Sequence, residues 1–112
     1  PRVRRVAVLA SGGGSNLGAL LAHVDAFGAA GGFAVALVAS NRPDAGALAR
    51  AAERGIATHV LADPADGPAL DALLARHDVD LLVLAGYLKL VPAGVTRRFR
   101  GRLLNVHPSL LP

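Results

Sequence analysis

Val3-Arg4-Arg5-Val6-Ala7-Val8-Leu9-Ala10 runs without a break into Ser11-Gly12-Gly13-Gly14-Ser15-Asn16, after which Leu17, Leu20, Leu21 and Val24 recur at helical spacing. The first stretch is β-rich and, past its arginines, apolar throughout, as a strand covered on both faces would be. The last carries an apolar stripe, with Ser15 or Asn16 standing where a helix takes its cap. Strand, glycine turn, helix is the pattern, and the rest of the chain repeats the alternation.

Phe33 to Ala39 is a second apolar run. Asn41-Arg42-Pro43-Asp44 breaks it, and Asp44 is expected to cap a helix that continues to Arg54 and closes at Gly55. Thr58 to Leu61 reads as a short strand. Pro68 falls where a first helical turn tolerates proline, and Leu70, Leu73 and Leu74 mark one face of the helix it opens. Leu81 to Ala85 is a fourth strand ended by Gly86-Tyr87, a short helix is expected over Pro92 to Phe99, and Leu103 to Val106 is a fifth strand before His107-Pro108. Ala26 to Gly32 reads as a loop between elements. Strands alternating with helices of this length imply right-handed crossovers and a mainly parallel sheet, the doubly wound α/β architecture.

Composition agrees and removes other classes. The chain has 112 residues, 53% of them hydrophobic and 18% charged, with a mean hydropathy of +0.45, which suits one globular domain and excludes intrinsic disorder. No apolar run approaches the roughly 20 residues that span a bilayer, so no membrane association is expected. Cysteine is absent. That removes disulfides, thiolate metal sites and cysteine nucleophiles, and makes the cytoplasm the default compartment. The formal charge is +4, and eleven of the twelve basic residues are arginine. They are scattered among only four aromatics, whereas a nucleic-acid binder gathers both on one stripe. Arg97, Arg98, Arg100 and Arg102 come nearest to a patch and read as a solvated face, so no nucleic-acid partner is expected. His23, His59 and His77 have no metal-ligand spacing, and no metal is assigned.

In a parallel sheet the loops that leave the C-terminal strand ends share one edge, and ligands bind there. Sequence order thus gathers Ser11 to Asn16, Gly86 to Val91 and Asn105 to Pro112 along one cleft. The first of these suits an anion: glycines take positive φ or let a ligand approach the backbone, and the N–H groups of the helix that follows point at bound oxygens. No Gly-Lys-Ser/Thr follows, so it is not a Walker loop, and Gly12, Gly14 and Gly18 match the dinucleotide fingerprint only loosely. Ser11 and Ser15 read as turn and cap rather than nucleophiles. In the third segment Asn105 and His107 project to the same side of an extended strand, roughly 6 to 7 Å apart, while Val106 turns into the sheet packing. Pro108 biases His107 towards extended backbone. A carboxamide can donate to an oxyanion as it forms, and an imidazole, of ordinary pKa ~6.5, can stabilise charge or move a proton near neutral pH.

With these residues in view the chain resembles the phosphoribosylglycinamide formyltransferase family of folate-dependent formyltransferases, over essentially its whole length. The motifs are residues 9–16, Leu-Ala-Ser-Gly-Gly-Gly-Ser-Asn; residues 40–45, Ser-Asn-Arg-Pro-Asp-Ala; residues 84–91, Leu-Ala-Gly-Tyr-Leu-Lys-Leu-Val; and residues 101–112, Gly-Arg-Leu-Leu-Asn-Val-His-Pro-Ser-Leu-Leu-Pro. The last is specific to folate-dependent formyltransferases, and the first separates this family from the methionyl-tRNA formyltransferases. The resemblance implies a Rossmann-like formyltransferase fold and transfer of a formyl group from 10-formyltetrahydrofolate to the amine of glycinamide ribonucleotide in purine synthesis. It implies that Gly14, Ser15 and Asn16 hold the phosphate, that Leu88, Lys89, Leu90 and Val91 line the reduced-folate pocket, and that Asn105 and His107 are the catalytic pair, Asn105 also meeting the folate.

The resemblance further implies a catalytic aspartate downstream of the residues here. Residues 1–112 are therefore expected to be an N-terminal nucleotide-binding region, inactive by itself. Asp66-Gly67-Pro68 stands where many relatives carry a folate-contacting arginine, so no contact is assigned there. A homodimer is compatible with the sequence. Three other readings stay open: a hydrolase that releases formate from the same folate, an NADP-binding module using Gly12, Gly14, Gly18 and Arg42, and a fragment that only binds or pairs through its sheet edge.

Overall fold

The computed structural model describes residues 3–13, 17–22 and 32–106. Within them the chain runs β1 (Arg4–Leu9), α1 (helical over 17–22), β2 (Phe33–Ser40), α2 (Gly46–Glu53), β3 (Ala57–Val60), α3 (Gly67–Arg76), β4 (Leu81–Ala85), α4 (Ala93–Arg98) and β5 (Leu103–Val106). Every strand pair is parallel, and the strand order is β3-β2-β1-β4-β5. The doubly wound expectation is met, and the elements whose ends lie within the described residues match those read from the sequence to within two residues.

Alternation along the strands builds two cores. Ala7 and Leu9 of β1, Leu37 and Ala39 of β2 and Leu82 of β4 face α3 and α4, where Leu70, Leu73, Leu74, Val95 and Phe99 cover them. Val6, Val8 and Ala10, with Val38 and Val83, face the other way, onto Leu17 and Leu21 of α1 and Ala47 and Ala51 of α2. Ala7, Val8 and Leu9 are 0% exposed, which is why β1 tolerates no polar residue after Arg5. The β1/β2 register slips between Val6 and Ala7, so that Val6 pairs with Val35 and Ala7 with Leu37.

Two helix ends show how local chemistry and tertiary structure divide the work. At the C-terminus of α2, Gly55 takes φ 72°, its N–H donates to the Ala52 carbonyl, and the Ile56 N–H donates to the Ala51 carbonyl, a Schellman closure at the glycine the sequence nominates. At its N-terminus the expected Asp44 cap does not form. The N-cap is Ala45, Asp44 pairs with Arg42 at 3.2 Å, and the Ala47 N–H is taken by the Gly12 carbonyl at 3.3 Å. A carbonyl from the β1 loop, far away in sequence, does the capping, and no local pattern could announce it. In α3, by contrast, Asp66 caps through its own side chain, accepting from the Ala69 N–H at 3.0 Å.

The C-terminus of α3 closes in the same Schellman manner, but the left-handed position is Asp78, with φ 52°. Aspartate tolerates this conformation at a cost that glycine does not bear, and its charge faces the negative helix end. Asp78→Gly is expected to raise stability by about 0.5–1 kcal/mol in urea or thermal unfolding.

Candidate functional site

The strand order reverses direction between β1 and β4. From β1 the chain crosses to β2 and then β3 on one side, and it returns to β4 on the other. Loops leaving β1 and β4 at their C-terminal ends therefore diverge, and a crevice opens between them. The glycine loop and the segment after Ala85 stand at this position, as the parallel-sheet argument predicts.

What joins them is Ser11, 1% exposed. Its hydroxyl donates to Asn41 Oδ1 at 2.7 Å and accepts from the Leu88 N–H at 2.8 Å, while its own N–H donates to the Gly86 carbonyl at 3.4 Å. One side chain thus ties together the loops after β1, β2 and β4. Gly86 has φ 68°, and that turn is what brings its carbonyl back towards Ser11. The sequence reading places Ser11 in the turn and not as a nucleophile; what it cannot show is that the buried hydroxyl bonds to two other loops, which neither periodicity nor composition signals.

The glycines also act differently from the expectation. Gly12 and Gly13 are not among the positive-φ glycines, and a Cβ on either would meet open space. Both are exposed and line the open edge. The close approach runs instead to Gly46, where a Cβ would overlap the Gly13 carbonyl. Glycine at the first turn of α2 is thus required by the loop it abuts, and its poor helix propensity was the one available hint. Gly18 faces the Arg50 guanidinium, which a Cβ would meet at 3.3 Å. Arg42, the other residue of the loose dinucleotide fingerprint, pairs with Asp44 at the surface.

After Ser11's anchor the chain exposes apolar surface. Leu88 is 82% and Leu90 91% exposed, with exposed Lys89 between them, while Tyr87 and Val91 pack against the α3/α4 core at either end. Leucines left in solvent beside a crevice are a surface that waits for an apolar contact. Tyr87 Oη is buried and finds no hydrogen-bond partner among the described residues, and burial raises the phenol above its ordinary pKa of 10.0.

On β5, Asn105 pairs in register with Leu84 and Val106 with Ala85, one residue before Gly86. Asn105 is exposed and lies on the same sheet face as Leu103, which packs against the α3/α4 core that also receives Tyr87 and Val91. Val106 packs against the opposite core, as alternation predicts. The structure therefore brings Ser11, Gly12, Gly13, residues 86–91 and Asn105 to one edge. Gly14, Ser15, Asn16 and His107 lie outside the described residues, as do His23 and most of the 26–32 loop.

Elsewhere, a cavity of about 440 Å³ lined by Arg4, Asp80, Leu81, Gly101 and Arg102 opens at the N-terminal strand ends, on the far edge from this crevice. Its polar groups are engaged in holding the fold: the Asp80 carboxylate accepts from the Arg5 N–H at 2.8 Å, and Arg102 donates to the Asp80 and Arg98 carbonyls while its guanidinium sits 5.0 Å from the Phe99 ring centre. Arg98 pairs with Asp71 at 3.1 Å. Two of the four clustered arginines are thus fastened to the α4 end of the molecule. Among the described residues no group of His, Asp and Glu could hold a metal ion, and no helix is long and apolar enough to cross a membrane.

Comparison with known proteins gives a consistent set of similarities. A family model described as formyl transferase matches residues 4–112. The trifunctional purine biosynthetic protein adenosine-3 of Drosophila melanogaster is 44% identical over 99% of this chain and 9% of its own length. The phosphoribosylglycinamide formyltransferase of Escherichia coli K12 is 40% identical over 96% of this chain and 52% of its own. Among solved structures, that of phosphoribosylglycinamide formyltransferase from Brucella melitensis superposes with a TM-score of 0.84 at 39% identity, covering 100% of this chain and 60% of that one. The chain thus spans about half the length of the single-function relatives and a small part of the trifunctional ones.

Two outcomes follow from this geometry. Gly46→Ala is expected to displace the Gly13 carbonyl and to destabilise the protein by about 1–3 kcal/mol in denaturant unfolding. Because the folded state holds Tyr87 in its neutral form, stability should fall as pH rises past the unfolded tyrosine's ordinary pKa of 10.0. Tyr87→Phe should remove its share of that alkaline loss and be neutral or stabilising at pH 7, as unfolding curves at both pH values would show.

Proposed function

The chain belongs to the formyl transferase family, and from that premise we propose that the protein of which these residues are part transfers a formyl group from 10-formyltetrahydrofolate to the amine of glycinamide ribonucleotide. The observation that carries the reading is the shared edge: the glycine loop and the 86–91 segment are tied across the β1/β4 crevice, and Asn105 stands one residue before the end of β5, on the face towards which that segment packs.

In this reading residues 14–16 receive the nucleotide's phosphate, drawn by the N–H groups at the start of α1. The segment Leu88–Val91 receives the reduced folate, for which the exposed Leu88 and Leu90 supply apolar contact. The acceptor amine adds to the formyl carbon, the carbonyl electrons moving onto oxygen, and the tetrahedral adduct collapses as the bond to the folate nitrogen breaks. Asn105 donates its carboxamide N–H to the oxygen on which negative charge develops, and also contacts the folate. His107 stabilises the same charge and assists the proton's passage from the attacking amine to the departing nitrogen. No step calls on a metal. Residues 1–112 act as the nucleotide-binding region, with the remaining catalytic groups supplied by the rest of the protein, in a cytoplasmic compartment.

In the full-length protein, Asn105→Ala and His107→Ala are each expected to lower turnover on the order of 10²- to 10⁴-fold, and formylation near the wild-type rate by either variant would remove its assigned role. Consumption of the formyl donor should require glycinamide ribonucleotide. Release of formate without it would assign a hydrolase instead, and a tight fluorescence response to NADPH would favour the dinucleotide module.

A further inference from the structure

The hydrogen bonds that join three loops meet at one oxygen, and the chemistry just described makes no use of it. Resting on the formyl-transfer reading, we propose that Ser11 is a positioning residue: its hydroxyl, oriented by Asn41, fixes where residues 88–91 stand relative to the glycine loop, and so where the formyl donor meets the acceptor amine.

A serine hydroxyl has a single hydrogen. Asn41 Oδ1, 2.7 Å away, takes it, which turns a lone pair of Oγ towards the Leu88 N–H at 2.8 Å. The second tie between the two loops, from the Ser11 N–H to the Gly86 carbonyl, is longer, at 3.4 Å. Among the described residues the segment past Leu88 has few supports: the side chains of Leu88 and Leu90 stand in solvent, and Val91 returns to the core. The Leu88 N–H is therefore where the leading end of the donor segment is fixed.

Water could satisfy that N–H in an exposed stretch, so folding does not depend on the hydroxyl. Water could not supply a fixed direction with respect to Gly12. The glycine loop, in turn, keeps its own supports without the hydroxyl, since the Ala10 N–H donates to the Ala39 carbonyl at 3.0 Å and the Ala47 N–H to the Gly12 carbonyl at 3.3 Å. Loss of the Ser11 hydroxyl should thus be felt on the donor side and hardly at all on the acceptor side.

The experiment compares Ser11→Ala, Asn41→Ala and Asn41→Asp in the full-length enzyme, with KM measured separately for 10-formyltetrahydrofolate and for glycinamide ribonucleotide, and amide exchange followed at Leu88. For Ser11→Ala, the loss of one hydrogen bond predicts a rise in donor KM of about three- to tenfold, acceptor KM within about twofold, and faster exchange of the Leu88 amide. Asn41→Ala should move the same quantities in the same direction, and Asn41→Asp, which keeps an acceptor for the Ser11 hydrogen, should return donor KM towards wild type. An unchanged donor KM in Ser11→Ala, an equal rise in both KM values, unaltered Leu88 exchange, or Asn41→Asp as impaired towards the donor as Asn41→Ala would each overturn the proposal. Should Ser11→Ala fail to fold, the Asn41 pair decides by the same criteria. A wild-type protein that transfers no formyl group would refute the functional reading, while Leu88 exchange would still decide whether Ser11 holds the segment.

Discussion

Strand β1 is hydrogen-bonded to a neighbour on each side and covered by helices on both faces, and the rest of the molecule is arranged by that double burial. A strand enclosed in this way must be apolar at nearly every position and must end where polar chemistry begins. In this chain it ends at Leu9, and Ser11, two residues on, carries the first polar side chain on the path out of the core. The chain leaves β1 for β2 and β3 on one side and returns from β3 to β4 on the other, and the crevice between the loops after β1 and β4 follows from that strand order.

The polar layer at this edge is economical. Ser11 reaches the loops after β2 and β4, Gly12 caps α2 with its carbonyl, and the Gly13 carbonyl lies against Gly46, which has no room for a side chain. Each contact uses a backbone group or a short side chain, so the loops are held close without bulky residues that would fill the crevice. Loops held this way are positioned by the sheet rather than by their own packing, which is the usual condition for binding segments on a rigid scaffold. The opposite edge of the sheet shows the contrast: there Arg5, Asp80 and Arg102 spend their charges on backbone groups and on one another's segments, and Asp80 and Arg102 border the cavity between the strand ends that they hold together.

That Ser11 to Gly13, residues 86–91 and Asn105 share one edge was legible because the signals are local. Glycine after an apolar strand, Asn-Val-His at the end of another, and leucines flanking a lysine after Gly86-Tyr87 are patterns within a few residues, and parallel topology collects such strand ends on one edge whatever their order. Asn105 and Val106 could be assigned to opposite faces from alternation alone, and the packing of Val106 and Leu103 against opposite cores bears this out. The partners of Ser11 were not legible. Asn41 lies 30 residues away and Leu88 77, and nothing in either stretch marks it as the other's neighbour. For the same reason Asp44 looked like a helix cap until a carbonyl from the β1 loop was found on the N–H it would have met.

The amino-acid order of this chain determined, through period-two runs and helical stripes, which segments are strands and helices, that the sheet is parallel, and which residues reach the ligand edge, since these depend on contacts close in sequence and on the chirality of crossovers. Tertiary structure alone decided that β4 lies beside β1, that Ser11 links three loops, and that residue 46 must be glycine where the Gly13 carbonyl abuts it. These are contacts between groups far apart along the chain, whose energies depend on distance and direction in space, and neither is written in any single stretch of residues.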